Sequence, residues 1–366
     1  MNRIAYIEID THAEIALNFM ELMNDSKEFS VDYYFSSKIL KTLGLHETKN
    51  IRKVTPETIN HQLSFINYDL IIIGTVHRYF NVFEKITSKY HSAIICHNLN
   101  FVQVNNWDLL KSVFKEDIVF RLKLLLKEGL LLKSKVYQNA KNWLVLDENL
   151  LPFIIKNKSN QNVKTTTFLP IFYSKFSEKL QNEIYTIVIP GAVSQKRRDY
   201  ISVIENIKKV QNFQENNTKK QVIFLGKAEG KELQILQNFE SSIPEKTKNL
   251  TIKYFTKKVP QPIFDEYMQQ ADVLWCPIQT KTDFFSIPEY YGITKMSGNL
   301  GDAIRFSKIA IFPKKYPCNY PFIFIENENF LSNFKLSNNY NFSKFNIAEV
   351  RDKLNNSLLN CIIKQA

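Results

Sequence analysis

The chain has 366 residues, 44% hydrophobic content and a formal net charge of +12. This length predicts two domains, and the charge favours nucleic acid, an anionic membrane or phosphorylated small molecules as partners. Four widely spaced cysteines without a CxxC pair argue against a disulfide framework or a zinc site, and no run of about 18 apolar residues predicts a membrane-spanning helix.

Short apolar runs alternate with amphipathic stretches in the first half of the chain. We predict a helix over 13–25 and strands over 3–9, 29–36, 69–74, 92–97, 142–147 and 165–170. Several of these strands are continuously apolar, as is typical of strands buried on both faces of a parallel sheet. The alternation therefore predicts a doubly wound parallel sheet.

The second half of the chain begins the same pattern again. Helices are predicted over 199–212, 230–240, 261–270 and 297–307, and strands over 184–191, 221–226, 250–255, 272–278 and 308–313. We therefore predict an α/β protein with two doubly wound Rossmann-like domains, 1–178 and 179–344, facing each other across a cleft. The C-terminal helix, 345–366, is expected to pack back on the first domain. Ligands of such sheets bind beyond the carboxyl ends of the strands.

The second predicted domain opens with a strand, a glycine turn and a cluster of cations, in the stretch IPGAVSQKRRDY (189–200). Gly191 makes the turn, and Lys196, Arg197 and Arg198 stand at the start of a helix. The N-terminus of a helix attracts anions, so a diphosphate fits this position. Lys227 follows the next strand in a weaker version of the pattern. The alternative is a solvated basic helix face.

The stretch from 286 to 313 contains three of the nine glycines in the chain, at positions 292, 298 and 301. Glycines at a helix start allow the backbone to approach a ligand closely. Lys295 can neutralise a phosphate, Asp302 can accept hydrogen bonds from ribose, and Glu289 can orient sugar hydroxyls. The alternative is that the glycines only loosen a packed helix and that Glu289 is a surface acid.

These residues resemble the donor site of retaining GT-B glycosyltransferases. EYYG (289–292) is similar to the first part of the family motif, and GDAIRFSKIAIFP (301–313) to the second, with Asp302 in place of Glu. PGAVSQKRRDY resembles the phosphate loop of the family. The two acids are separated by more residues than in the family, and the resemblance covers the second domain by motif and the first by architecture alone.

The resemblance implies a nucleoside diphosphate sugar as donor, transfer with retention, and no metal ion or other cofactor. Glu289 is then a catalytic residue that orients the transferred sugar. The implied donor-binding residues are Gly191, Lys196, Arg197, Arg198, Lys227, Tyr291, Gly292, Thr294, Lys295, Ser297, Gly298 and Asp302.

Polar residues also follow the strands of the first predicted domain. His97 follows a buried strand, at a place where the family often has a histidine near the transferred sugar. His12 and Glu14 follow the first strand, where either could orient or deprotonate an acceptor hydroxyl. His77 and Arg78 lie in a third loop of this kind, for which the sequence supports a functional role less strongly. A lone histidine is more often a structural residue.

The stretch 119–138 interleaves leucines with five cations, which are Arg121, Lys123, Lys127, Lys133 and Lys135. A basic amphipathic helix can lie on anionic lipid, which suits a lipid-linked acceptor. We therefore expect a cytoplasmic protein at the inner face of the membrane. The alternative is an ordinary helix that packs on the core and has a solvated basic face.

Together these patterns predict a glycosyltransferase of the hexosyltransferase type, acting on a hydroxyl of a glycan or lipid-linked glycan. One alternative is a nucleotide-sugar 2-epimerase of the same fold, which needs several acids and histidines around the sugar. Another is a glycosyltransferase-like binding subunit without activity. Nucleic-acid binding is not expected, because no stacked aromatic and basic motif is present.

Overall fold

The computed structural model describes residues 1–156, 165–176, 184–209, 219–242, 250–317, 319–327 and 340–363. Its strands are β1 Asn2–Glu8, β2 Phe29–Phe35, β3 Ile51–Lys53, β4 Leu70–Ile73, β5 Ser92–Ile95, β6 Asn142–Val145, β7 Thr165–Phe168, β8 Tyr185–Pro190, β9 Lys220–Lys227, β10 Leu250–Phe255, β11 Val273–Trp275, β12 Lys281–Phe284, β13 Ile287–Tyr290, β14 Ala310–Phe312 and β15 Ile323–Ile325. Its α-helices are α1 Ala13–Met23, α2 Ser37–Leu43, α3 Ile59–Leu63, α4 Phe80–Lys89, α5 Leu99–Gln103, α6 Asn106–Val113, α7 Ile118–Lys127, α8 Lys133–Asn139, α9 Leu151–Lys156, α10 Tyr200–Lys209, α11 Gly230–Ser241, α12 Gln261–Gln270, α13 Gly298–Arg305 and α14 Ile347–Ile363.

The chain divides into two compact units. Unit 1 comprises Met1–Phe172, Asp283–Met296 and Ile347–Ala366, and unit 2 comprises Tyr173–Thr282 and Ser297–Asn346. The predicted boundary after residue 178 lies outside the described residues. Residues 283–296, which the sequence analysis places in the second domain, belong to unit 1. Helix α14 also belongs to unit 1, where Arg351 Nε donates to Leu22 O at 2.8 Å.

Unit 1 contains a parallel sheet of seven strands in the order β3-β2-β1-β4-β5-β6-β7. Its central strands are buried on both faces, and all four residues of β4 are fully buried. The strand order reverses between β1 and β4, and this switch point is where the loops after neighbouring strands diverge and leave room for a ligand.

Unit 2 contains a second parallel sheet, of six strands in the order β10-β9-β8-β11-β14-β15. Its switch point lies between β8 and β11. The prediction of two doubly wound Rossmann-like domains is confirmed, and the strands predicted from continuous apolar runs form the centres of both sheets. The short edge strands β3 and β15 are additional to the prediction.

The 283–296 segment begins inside a hairpin of β12 and β13. Its two-residue turn consists of Phe285 and Ser286, both with positive φ, at 56° and 55°. Ile287 belongs to the hydrophobic core of unit 1. Since neither turn residue is glycine or asparagine, the turn lacks the usual sequence signal of a hairpin.

The stretch 119–138 is not one helix, contrary to prediction. It is divided into α7 and α8 by Gly129, which has φ of +71°. Arg121 and Lys133 are buried, and Lys135 forms an ion pair with Glu84 at 2.6 Å. Among the described residues, no helix is long and apolar enough to cross a membrane.

Candidate functional site

Three histidines meet at the carboxyl ends of β1, β4 and β5 in unit 1. The rings of His12 and His97 stack with centroids 3.9 Å apart and an interplanar angle of 11°. The ring of His77 lies 6.3 Å from that of His12 and 5.8 Å from that of His97. In the described part of the chain, no group of three or more His, Cys, Asp or Glu residues is arranged to hold a metal ion.

Hydrogen bonds assign the proton on each of these rings. His12 Nδ1 donates to Glu14 Oε1 at 2.9 Å, and His97 Nε2 donates to the carbonyl oxygen of Gly74 at 2.8 Å, because carboxylates and carbonyls can only accept. His77 Nε2 accepts from Asn98 Nδ2 at 3.3 Å. In the neutral rings, the lone pair therefore lies on Nε2 of His12 and Nδ1 of His97.

The electrostatic environment keeps two of the three imidazoles neutral. Burial, together with the positive charges of His12 and Lys295, lowers the pKa of His77 to about 3. Burial also places the pKa of His97 well below its ordinary value, and His12 and His77 add to the effect. Burial acts to raise the pKa of Glu14, but the hydrogen bond and charge of His12 outweigh it and lower the pKa overall.

The backbone at His12 is strained. This residue precedes α1 with φ of 58° and ψ of 41°, a left-handed conformation that costs a residue with a side chain on the order of 1 kcal/mol. Such strain persists only where surrounding contacts hold it, and it concentrates at functional sites. Here it directs the imidazole of His12 onto that of His97.

A buried carboxylate, Glu8, lies at the end of β1 in the same region. Its Oε1 accepts from the amides of Asp10 and Thr11, and its Oε2 accepts from Thr75 Oγ1 at 2.7 Å. Burial raises its pKa to about 7, although these hydrogen bonds and the charge of His12 oppose the rise. A side chain at Gly74 would collide with Oε2, so glycine is needed beside this carboxylate.

In unit 2, a guanidinium lies against the glycine turn after β8. Gly191 has φ of +103°, and a Cβ there would overlap the guanidinium of Arg198. Arg198 Nη1 donates to Ala192 O at 3.2 Å, and Nη2 lies 3.4 Å from Asn299 Oδ1. Its Nε is buried and has no hydrogen-bond partner among the described residues. The guanidinium as a whole is only half-buried, and a partly exposed cation beside a glycine turn is suited to bind an anion.

The N-terminus of α13 lies beside this guanidinium. Ser297 caps the helix by accepting from Asn299 N at 3.3 Å, and Asn299 Nδ2 donates to Asp302 Oδ2 at 3.2 Å. A Cβ at Gly298 would meet no atom within 4 Å, so the first turn borders open space. The structure thus brings Gly191, Arg198 and the start of α13 together at the switch point of unit 2.

The other cations predicted in unit 2 do not share this environment. Lys196 and Arg197 are exposed on the loop before α10. Lys227 forms an ion pair with Glu229.

The remaining predicted donor residues lie in the 289–295 segment of unit 1. Glu289 is fully buried, and its carboxylate accepts from the amides of α5 in unit 1. The carbonyl of Thr294 accepts from Leu99 N, and Gly292 has φ of +78°. The ammonium of Lys295 lies 5.7 Å from the ring centroid of Tyr291.

Sequence reasoning missed Glu8, Asn98 and Asn299. Glu8 had a visible signal, because it is an acid inside an otherwise apolar strand. Asn98 follows His97 directly and lies at the same strand end. Asn299 had no signal of its own, because an asparagine at a helix start is common.

No protein-family model matches the sequence, and no curated protein matches it significantly. The structure is similar to that of the lipopolysaccharide outer core galactosyltransferase WaaB, with 10% identity, a TM-score of 0.53, and 98% of this chain and 99% of the other covered. It is similar to the pneumococcal O-GlcNAc transferase GtfA, with 9% identity, a TM-score of 0.51, and 100% and 92% covered. It is also similar to the N-terminal domain of trehalose-6-phosphate phosphatase from Candida albicans, with 10% identity, a TM-score of 0.54, and 100% and 93% covered. These likenesses establish the GT-B fold of the chain.

Proposed function

We propose that this protein is a glycosyltransferase that moves a sugar from a nucleoside diphosphate sugar to a hydroxyl of a glycan or lipid-linked glycan. The observation that supports this most is the environment of Arg198. Its half-buried guanidinium lies against the glycine turn after β8 and beside the N-terminus of α13. Developing negative charge on a leaving diphosphate is what such a preorganised site stabilises best.

In this proposal, the backbone at Gly191 and the first turn of α13 receive the diphosphate, and Arg198 neutralises it. Asp302 accepts hydrogen bonds from the ribose. We expect the reaction to need no metal ion, because the guanidinium and the helix N-terminus provide the positive potential. Retention of configuration is expected from the resemblance alone, and anomeric NMR of the product would test it.

We propose that unit 1 activates the acceptor through the pair His12 and Glu14. Glu14 holds Nδ1 of His12 as the protonated nitrogen, so Nε2 is the basic atom that can accept a proton from a hydroxyl. His97 is already neutral and is oriented by Gly74, so it can accept a hydrogen bond through Nδ1.

One observation favours the second candidate, a nucleotide-sugar 2-epimerase. Such an enzyme needs acids and histidines around one sugar, and unit 1 groups His12, His77 and His97 with Glu8 and Glu14. The two candidates differ in their products. A transferase releases nucleoside diphosphate, whereas an epimerase yields a second nucleotide sugar.

The test is incubation with a panel of nucleotide sugars, with and without glycan acceptors, while nucleoside diphosphate and isomeric nucleotide sugars are both measured. Arg198→Gln should weaken nucleoside diphosphate binding by about 1.5–3 kcal/mol, the usual contribution of a hydrogen bond to a charged group. Arg197→Gln is the matched control, because it removes the same charge one position earlier at an exposed site. Equal losses in both variants would refute the assigned site, and no turnover with any nucleotide sugar would favour a binding subunit.

We further propose that unit 1 contacts an anionic membrane at the inner face, in the cytoplasm, through a surface that we name the α6–α7 surface. Its apolar members are Trp107, Phe114, Val119 and Leu126, and its cations are Lys123 and Lys127. Val119, Leu126 and Trp107 are 85%, 80% and 76% exposed, which is unusual for such side chains. Exposed apolar groups with cations beside them suit the headgroup region of anionic lipid.

Vesicle binding tests this surface. Lys123→Glu with Lys127→Glu should release the protein from phosphatidylserine vesicles at low salt, because each cation near such a surface contributes about 1 kcal/mol. Lys133 is excluded from this test, since its ammonium is buried. Lys27→Glu with Lys41→Glu changes the net charge equally elsewhere on unit 1. Equal release by both pairs, or no binding by the wild type, would contradict the proposal.

A further inference from the structure

Helix α5 is a single turn that directly follows His97 and Asn98. The first three backbone N–H groups of α5 all donate hydrogen bonds to the 289–294 segment of the same unit. Glu289 accepts from Asn100 N at 3.3 Å and from Phe101 N at 2.8 Å, and the carbonyl of Thr294 accepts from Leu99 N at 2.9 Å. The amides that a helix start leaves unpaired are thus satisfied by a buried anion and a carbonyl.

The other end of α5 is held by a buried cation. The ammonium of Lys133, on α8, donates to the carbonyls of Phe101, Val102 and Val104 at 2.8, 2.9 and 2.7 Å. These contacts use all three of its protons. Lys133 and Glu289 are both fully buried.

Both charges match the dipole of the helix, with an anion at its N-terminus and a cation at its C-terminus. A helix of one turn has almost no stability of its own, so its place depends on these contacts. Burying a charge is costly, which is visible in the pKa of Lys133, lowered by burial to about 7, and in that of Glu289, raised mainly by burial. The hydrogen bonds that both charges make to the backbone of α5 offset this cost.

The residues that α5 holds in place belong to the histidine cluster. Asn98, immediately before the helix, donates to His77 Nε2. The ring of Phe101 lies 6.2 Å from that of His77 in an edge-on arrangement. His97 precedes Asn98 and stacks on His12. A displacement of α5 would therefore reorient His77 and His97 together.

We propose that Glu289 and Lys133 are positioning residues that hold α5 from its two ends and thereby fix the histidine cluster. The effect of these two residues on catalysis rests on the proposed function, because it assumes that the histidines act in the reaction. Their effect on the positions of the histidine rings does not depend on that assumption. It gives Glu289 a different task from the sugar contact that the family resemblance implies. Its carboxylate acts on the backbone of α5, and Lys133 is its counterpart at the other end.

The test compares Lys133→Met and Glu289→Gln with two controls in the full-length protein. Lys135→Met changes an exposed lysine on the same helix as Lys133, and Asp283→Asn changes an exposed acid in the same segment as Glu289. Histidine ring resonances, measured by NMR without ligand, should shift for His77 and His97 in both test variants and in neither control. With active protein, both variants should lower kcat at least tenfold and leave KM for the nucleotide sugar within twofold.

An unchanged histidine spectrum in either folded test variant would overturn the proposal. An effect of Glu289→Gln on donor KM that Lys133→Met does not share would also overturn it, in favour of a direct sugar contact. Shifted histidines with unchanged kcat would support the positioning role and contradict the catalytic role of the cluster. If Lys133→Met does not fold, Glu289→Asp, which keeps the charge on a shorter side chain, must shift the same resonances.

Discussion

Glu8 is a carboxylate that destabilises unit 1 at neutral pH, and replacing it should therefore stabilise the protein. The side chain is 1% exposed, and burial raises its pKa from 4.5 to about 7. Glu8→Gln keeps the shape and can keep the hydrogen bonds, because the amide oxygen can accept from Asp10 N and Thr11 N while the amide nitrogen donates to Thr75. Only the ionisable group is lost.

The sign follows from proton binding. Between pH 4.5 and 7 the folded protein retains a proton on Glu8 that the unfolded chain has released, so the wild-type free energy of unfolding falls as the pH rises. The loss is complete above pH 7. The pKa difference between 4.5 and about 7, at about 1.4 kcal/mol for each unit, corresponds to a loss of about 3 kcal/mol in the free energy of unfolding. Glu8→Gln escapes this loss, so its advantage over the wild type should grow by about 3 kcal/mol between pH 4.5 and pH 8.

The assay is urea unfolding followed by circular dichroism at several pH values from 4.5 to 8. Glu28→Gln makes the same chemical change at an exposed position and serves as the control. Parallel stability curves for Glu8→Gln and the wild type would refute the reasoning. The same pH-dependent gain in Glu28→Gln would mean that the effect comes from net charge rather than from burial.

Three further predictions concern unit 2 and the α6–α7 surface. Gly226→Ala should lower the free energy of unfolding by about 1–3 kcal/mol, because the added Cβ would collide with the backbone of the turn after β8. Gly298→Ala, whose Cβ meets no atom within 4 Å, should instead leave the free energy of unfolding unchanged and weaken nucleotide binding measured by calorimetry. Asp302→Ala should raise the dissociation constant of a nucleotide sugar but leave pyrophosphate binding intact, and equal losses for both ligands would contradict a ribose contact. Val119→Ser with Leu126→Ser should change stability by less than about 1 kcal/mol in total yet reduce vesicle sedimentation, and unreduced sedimentation would exclude this surface.

The central strands and the site at their ends follow from local pattern. Continuous apolar runs such as 70–73 are stable only when buried on both faces, and that requirement specifies a parallel sheet with helices on either side. The carboxyl ends of parallel strands meet at one edge, and this is the physical reason that His12 and His97, which both follow strands of the same sheet, lie near one another. Their stacking at 3.9 Å agrees with this reasoning.

The sequence did not reveal which side of a helix or turn faces a distant partner. Lys133 looked like a solvated cation, but it shares a helix face with the buried Val136 and Tyr137. The same uncertainty applies to Arg198, which differs from its exposed neighbour Arg197 only in the direction of its side chain. Such differences depend on packing rather than on residue type.

The sequence by itself determined the two doubly wound sheets, because strand burial depends on hydrophobic periodicity over a few residues. Only the tertiary structure decided that 283–296 belongs to unit 1 and that Glu289 accepts from Phe101, 188 positions earlier in the chain. The two acids of the resemblance, Glu289 and Asp302, consequently lie in different units. A contact at that separation depends on how whole elements pack, and the residues around Glu289 leave no local pattern that records it.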